Sequence, residues 1–339
     1  MRIESVSIEP YRQNLQFGPK TIIRDRFWLV ITDEEGCVGV GDAAPWPPRT
    51  TAPDLVKEEL SLAAERLQGS SLPIDAKGVE ELTKPYLYRS SPARAAIEMA
   101  LGDWWSQKNK VGFDEFIREV TDSPKTHCQK VRTNTLVAGA DAAKAAIASG
   151  QKTLKVKLTD KSAVESFCSW APTISGAKFR VDANRAFSAD ETLLFWPNIS
   201  KAPIDYLEDP LPANDLEGWR KLAAHGLPLA LDEADSELLY EEGTATVRVL
   251  KLQFEAGLIE TAKRAARYSS SGGKVTITSA LESSIGRAAA IHLASVVAPT
   301  GVHGLGAAEP VTDWTRIQNG TISIPEGITG LGVERARNS

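Results

Sequence analysis

The sequence predicts an α/β protein, a (β/α)8-type barrel preceded by an α+β unit of roughly 125 residues. Three observations lead there. After Ser123-Pro124, short β-rich segments recur roughly every 20 to 25 residues with helix-compatible stretches between them, the rhythm of parallel β/α units. Before that point strands come first and helices follow, without alternation. Carboxylates and lysines then stand at the ends of consecutive predicted strands.

The first fifty or so residues read as a meander: 27–32 is a β-rich run, Asp33-Glu34-Glu35-Gly36 a turn, and 37–40 the return. Ala44-Pro45-Trp46-Pro47-Pro48 ends regular structure. Leu55, Leu60, Ala63, Ala64 and Leu67 then recur at helical spacing. Ser91-Pro92 reads as an N-cap followed by proline at the first helical position, opening a helix that buries Ile97, Leu101 and Trp104. Beyond Pro124 the predicted strands are 131–136, 153–158, 178–182, 205–208, 229–232, 247–252, 275–279 and 302–305. An open, doubly wound sheet is the competing layout, and strand count alone does not separate the two.

Composition narrows the function. The chain is 42% hydrophobic and 24% charged with a net charge of −5, which excludes disordered and fibrous classes. No run of basic residues is present, so a nucleic-acid partner is not expected. The richest apolar stretch, 288–298, is broken by His292 and Ser295 and falls short of the ~20 residues a bilayer span needs. Met1-Arg2-Ile3-Glu4 opens no apolar leader. The expectation is a cytoplasmic protein with a small-molecule partner and no membrane association. Cys37, Cys128 and Cys168 are far apart and odd in number, so neither a disulfide framework nor a thiolate zinc site is expected. The four histidines show no ligand spacing. His303 is expected to be structural, and Trp104-Trp105 core.

The chemistry lies at the strand ends. Lys155 and Lys157 are two apart and share a strand face. Asp182, Glu208 and Asp232 end the next three predicted strands, and Lys251 lies near the end of the sixth; from Lys157 the steps are 25, 26, 24 and 19 residues, about one β/α unit each. In a parallel barrel these residues converge on one mouth. Singly, each acid is more often a loop cap or a surface charge; in register with consecutive strands, they form a site. Three adjacent carboxylates repel one another unless a cation sits among them. Oxygen-only ligands favour Mg²⁺, with Mn²⁺ as a substitute, over Zn²⁺. Two ammonium groups on one face depress a lysine pKa toward that of a general base, and lysine with Mg²⁺ is an established pairing for removing a proton next to a carboxylate.

At these residues the chain resembles the enolase superfamily, its muconate-lactonizing subgroup, and within it most closely the o-succinylbenzoate synthases. The carriers are Lys155-Val156-Lys157, Asp182-Ala183-Asn184, Leu207-Glu208-Asp209-Pro210, Leu231-Asp232-Glu233 and Leu250-Lys251-Leu252. Val38-Gly39-Val40-Gly41-Asp42-Ala43-Ala44-Pro45 is similar to the family's capping-domain hairpin, with Asp42 in place of the usual glutamate. The resemblance implies a modified (β/α)8 TIM-type barrel over residues 126–320, an N-terminal α+β capping domain over 1–125, and a C-terminal segment, 321–339, packing back on the cap. It implies that Asp182, Glu208 and Asp232 bind Mg²⁺, that Lys157 is the general base and acid tuned by Lys155, and that Lys251 faces it from the opposite side. Asn184 and Glu233 would support the site.

The segment Ser279-Ala280-Leu281-Glu282-Ser283-Ser284-Ile285-Gly286 resembles the synthase version of its loop, which would make Ser283, Ser284 and Gly286 the holders of a substrate carboxylate. Asn14 to Lys20 would form a lid. The implied activity is a carbon–oxygen lyase reaction, dehydration of 2-succinyl-6-hydroxy-2,4-cyclohexadiene-1-carboxylate to o-succinylbenzoate in menaquinone synthesis. The alternative is N-succinylamino acid racemisation or another racemase or cycloisomerase reaction. Dipeptide epimerisation is disfavoured, because Gly301-Val302-His303-Gly304-Leu305-Gly306 stands where those relatives carry Asp-x-Asp. A nicotinamide oxidoreductase is prompted by Gly39-Val40-Gly41-Asp42-Ala43-Ala44, but Pro45, Pro47 and Pro48 follow where that fingerprint needs a helix. A ligand-binding relative without activity conflicts with the complete lysine and carboxylate set. Oligomeric state is left open.

Overall fold

Three strands open the chain: β1 (Ile3–Phe17), β2 (Lys20–Asp33) and β3 (Val38–Ala43), forming an antiparallel sheet in that order. The computed structural model describes residues 1–17, 20–47, 49–84, 89–124, 128–232, 236–306 and 313–333. The β2–β3 turn falls where the sequence predicts it, because the Asp33 side chain accepts the backbone N–H groups of Glu35 and Cys37 and Gly36 adopts φ 82°.

Helices α1 (Pro53–Leu67), α2 (Ala76–Thr83), α3 (Ser91–Asn109) and α4 (Phe113–Thr121) complete the N-terminal unit. Ser90, rather than the expected Ser91, caps α3 by accepting Ala93 N–H, with Pro92 in the first turn. α3 is buried on nearly every side from Pro92 to Ser106 and not along one stripe. It lies directly on β3: a Cβ on Gly41 would stand 1.8 Å from the Ala96 carbonyl oxygen, and one on Gly39 2.1 Å from that of Ala100. Only glycine permits this approach.

The barrel strands are β4 (Lys130–Thr133), continued after a break at Asn134 by β5 (Thr135–Leu136), then β6 (Thr153–Lys157), β7 (Lys178–Asp182), β8 (Ile204–Glu208), β9 (Leu229–Asp232), β10 (Val247–Leu250), β11 (Lys274–Ile277) and β12 (Val302–His303). Counting β4 and β5 as one strand, they run parallel in the order β5-β6-β7-β8-β9-β10-β11. The ring closes through a Thr278–Gly304 bridge between β11 and β12 and through parallel pairing of β12 with β4. The open sheet is therefore excluded. Helices α5 (Ala140–Ala148), α6 (Lys161–Trp170), α7 (Ala189–Ile199), α8 (Leu216–Ala224), α9 (Glu237–Glu241), α10 (Leu258–Ser270) and α11 (Ser284–Val297) form the crossovers. A last strand, β13 (Thr321–Ser323), pairs antiparallel with β4. The chain then reaches back to the first unit, where Phe113 N–H donates to the Gly330 carbonyl and Leu331 N–H to Asp103.

The apolar core does not divide at residue 125. One cluster unites β1–β3 and α1–α4 with β11, α10, α11 and Leu331, and a second covers the barrel from Val137 to Ala245. No helix among the described residues is long and apolar enough to cross a membrane.

His303 closes the ring. It is 1% exposed; its Nδ1 accepts Ile277 N–H at 3.1 Å and its Nε2 donates to the Ala298 carbonyl at 3.1 Å, a pairing that requires the neutral ring. Burial pushes its pKa down to about 3. Below the ordinary histidine range the unfolded chain takes up a proton that the folded chain refuses, so stability present above about pH 6.5 is lost as pH falls toward 3. His303→Gln is expected to flatten the fall of melting temperature between pH 6 and pH 4. An unchanged slope would remove this role.

Candidate active site

Alternation in β6 sends Lys155 and Lys157 to the same side, and both line a cavity of ≈ 490 Å³ at the carboxyl ends of the strands, together with Asp182, Asn184, Asp232 and Lys251. Pairing sets Lys157 opposite Asp182, Asp182 opposite Glu208, and Glu208 opposite Ala230, two residues before Asp232. The acids of β7, β8 and β9 thus stand side by side, with Lys157 on one flank and Lys251, just past β10, on the other.

Lys155 bridges two of the acids, its Nζ 2.9 Å from Asp182 Oδ2 and 2.8 Å from Glu208 Oε1. Lys251 Nζ lies 2.6 Å from Asp232 Oδ1 and also contacts Oδ2. Asp182, Glu208 and Asp232 are 5%, 1% and 8% exposed. Burial pushes Glu208 up to about 8, Lys155 opposing and the charges of Asp182 and Asp232 reinforcing. Burial acts the same way on Asp232, but Lys251 and Lys155 outweigh it and hold that carboxyl below the usual range. The expected depression of a lysine pKa does not hold for Lys155: burial would lower it, but Glu208, Asp182 and Asp232 raise it well above the ordinary lysine value.

Among the described residues no three His, Cys, Asp or Glu side chains stand in metal-ligand geometry; the two ammonium groups sit on the acids. The donor set nonetheless suits a hard cation. It is all carboxylate oxygen, and Glu208 Oε2 is buried with no hydrogen-bond partner, the kind of orphaned acceptor an oxygen-seeking ion would satisfy.

A second ring of contacts, missed in the sequence, holds the strand ends. Asp209 accepts Asp232 N–H at 2.8 Å and Arg185 Nε–H at 2.9 Å, and Arg185 Nη2 donates to the Asp232 carbonyl at 2.9 Å. Asn184, Arg185 and Asp209 all take the left-handed conformation, with φ 47°, 63° and 42°, which is uncommon for residues with side chains and clusters at functional sites. The signal was the doubled acid in Glu208-Asp209: adjacent residues at a strand end face opposite ways, so only one could face the cavity.

Ser283, Ser284 and Gly286 do not line the cavity. Ser283 donates from both N–H and Oγ–H to Asp42 Oδ2, at 2.8 and 2.7 Å. Ser284 opens α11. A Cβ on Gly286 would stand 2.8 Å from Asp42 Oδ2. Ser283 and Gly286 thus face Asp42 of the cap beyond Leu281, which takes φ 60°, and Ser279, Ala280 and Leu281 line the cavity in their place. Asn184 lines the cavity, its N–H 3.1 Å from Asp182 Oδ1. Glu233 lies outside the described residues, as does part of the expected lid.

Residues 138–338, more than half of the chain, match the family model described as "Enolase C-terminal domain-like". The chain belongs to the enolase superfamily. It is 28% identical over 278 residues to an aromatic dipeptide epimerase from Herpetosiphon aurantiacus, covering 77% of this chain and 76% of that one. It is 24% identical over 362 residues to a chloromuconate cycloisomerase from Delftia acidovorans, covering 98% and 96%. The structure of a dipeptide epimerase from Enterococcus faecalis, complexed with Mg and the dipeptide L-Leu-L-Tyr, superposes with a TM-score of 0.81 at 22% identity, over 99% of this chain and 100% of that one. This enolase-superfamily chain is an enzyme, with the capped, modified barrel of the superfamily. Its named relatives here are epimerases and a cycloisomerase, which stand nearer to the racemase or cycloisomerase alternative than to the synthase.

Charge balance in the site is testable. Lys155→Met leaves two buried carboxylates facing each other, and in chelator-treated protein is expected to cost about 3–5 kcal/mol of stability. Adding a divalent cation should then raise the melting temperature more in the variant than in the wild type. Equal shifts in both proteins would contradict this account.

Proposed function

We propose that the protein is a Mg²⁺-dependent racemase of N-acylated α-amino acids, N-succinylamino acids among them. The observation that carries this reading is the placement of Lys157 and Lys251 on the two flanks of the acid row, both lining one cavity. Inverting a carbon centre requires one group to take the proton from one face and another to return it to the opposite face. Lys157 and Lys251 fill these two roles, exchanging them for the two enantiomers. Asp182, Glu208 and Asp232 would hold the ion, Lys155 orients two of these acids and tunes the site, and Asn184 supports Asp182. A bound Mg²⁺ supplies electrostatic stabilisation for the negative charge that develops as the α-proton leaves.

The cavity wall supports the substrate class. Apart from Asp182 and Asp232, the charged lining residues among those described are Arg49, Lys155, Lys157 and Lys251, all positive, and the eighth strand contributes Gly304 and Gly306. Among the described lining residues a free substrate ammonium finds no further carboxylate, whereas a neutral amide or an anionic acyl arm meets no negative charge beyond the two acids of the row. This separates the proposal from the dipeptide epimerases among the relatives.

A second reading, o-succinylbenzoate synthase, rests on the 279–286 segment, whose first three residues face the cavity; it needs only Lys157 as base and then acid. Proton NMR in D₂O, with each enantiomer of N-succinylphenylalanine, distinguishes the two. Wild-type protein should exchange and invert the α-proton, Lys157→Ala should lose exchange from one enantiomer and Lys251→Ala from the other, each by roughly 10²–10⁴-fold. Dehydration of the cyclohexadiene carboxylate that survives Lys251→Ala, without racemisation by the wild type, would reverse the order.

A further inference from the structure

The end of β3 is held between two barrel loops by buried side chains that do not touch the cavity. Arg24, 5% exposed, donates from Nη1 to the Ala280 carbonyl at 2.8 Å and from Nη2 to the carbonyls of Ala44 and Pro45 at 2.8 and 3.0 Å. Its guanidinium also lies 4.3 Å from the ring centroid of Trp46. One side chain thus grips both a cap wall of the cavity, Trp46, and a barrel wall, Ala280. Asp42 accepts both donors of Ser283 and, on its other oxygen, the Tyr11 hydroxyl at 2.8 Å. Arg26 donates to the Leu281 carbonyl. On the opposite side Gln253, 0% exposed, donates to the Asp42 carbonyl at 2.9 Å and accepts Ala44 N–H at 3.0 Å, two residues beyond Lys251.

These contacts account for the conformation of Leu281. A bulky residue at positive φ costs on the order of 1–3 kcal/mol and persists only where surrounding contacts over-determine it. Here both flanking carbonyls, Ala280 and Leu281, are claimed by cap arginines, and Ser283 by Asp42.

We propose that Arg24, Asp42 and Gln253 are positioning residues that lock the cap to the loops bearing Lys251 and residues 279–283, and so set the cavity width that decides which acyl arm is accepted. The lock stands on geometry alone; its effect on selectivity rests on the racemase reading. Full-length Arg24→Met and Gln253→Ala test both parts. Hydrogen exchange followed by mass spectrometry is expected to accelerate by about tenfold or more in peptides covering 279–283 and 44–46, with the β6–β9 peptides unchanged. The ratio of kcat/KM for N-acetyl- to N-succinylphenylalanine is expected to move at least about fivefold, mostly through KM, while the Mg²⁺-induced melting shift stays as in wild type.

Unchanged local exchange would overturn the lock. Faster exchange with an unmoved substrate ratio would overturn its role in selectivity and leave only a structural tie. Were the wild type inactive on both acids, the racemase reading would fall while the exchange result still decided the lock. If Arg24→Met does not fold, Ser283→Ala, which removes the hydroxyl contacts to Asp42 and Trp28, reads the same exchange, and unchanged rates there would overturn the proposal equally.

Discussion

Three acids on neighbouring strands, withdrawn from water, cannot all remain ionised without positive charge among them. The rest of the site is arranged around that constraint. Lys155 reaches along its own strand face into the gap between Asp182 and Glu208, and Lys251 closes on Asp232 from the far side. Even so, Glu208 keeps one buried oxygen without a partner. Among the described residues that acceptor is left unsatisfied, and an oxygen-seeking divalent ion is the kind of group that would satisfy it. Arg185 and Asp209 act one layer out: by fixing both the N–H and the carbonyl of Asp232, they hold an acid whose carboxylate would otherwise turn away from its neighbours.

The barrel does not supply the whole cavity. Its apolar packing is split: one cluster joins strands and helices from Val137 to Ala245, a small one gathers Tyr206, Ala230, Val247 and Val249, and the last β/α units share another with the cap. Glycines 39 and 41 let α3 press against β3, and α10, α11 and β11 pack into the same core. Trp46, three residues past the end of β3, thus lines the cavity from a cap that shares its core with the barrel. Across that shared packing, buried arginines of the cap sheet reach the carbonyls of a loop about 255 residues further along the chain.

What was legible in the sequence was what depends on local period. The two-residue spacing of Lys155 and Lys157, and the recurrence of acids at one β/α interval, placed five charged residues of the site before any coordinates, because strand pleat and parallel pairing convert spacing directly into position. The closure of the barrel was not legible: it rests on a two-residue strand, β12, paired with β4 and joined to β11 by a bridge at Thr278–Gly304 and by the His303 side chain on Ile277, a stretch too short to carry a periodic signature. Ser283 and Ser284 were misplaced for a related reason. A resemblance fixes which residues occupy a loop, but the direction each faces follows from the backbone at Leu281, and positive φ in a leucine is invisible in composition. The pKa of Lys155 runs opposite to the expected depression because Glu208, Asp182 and Asp232, on neighbouring strands, outweigh burial.

The lysine and acid row is suited to removing a proton next to a carboxylate, and that step is common to racemisation, cycloisomerisation and dehydration. Identity among these reactions cannot therefore reside in the row. It must reside in what the walls allow the rest of the substrate to do: whether a second face of the reacting carbon is open to Lys251, and which charge the distal arm meets. Here Lys251 is close enough to Asp232 to be held at the cavity's edge, beside the Phe254 ring at 5.4 Å, and the described wall beyond it carries positive charge and glycine in place of carboxylate. On the racemase reading, a substrate whose nitrogen is masked as an amide loses nothing against this wall, whereas a free amine would shed its hydration with no further acid among the described lining residues to replace it.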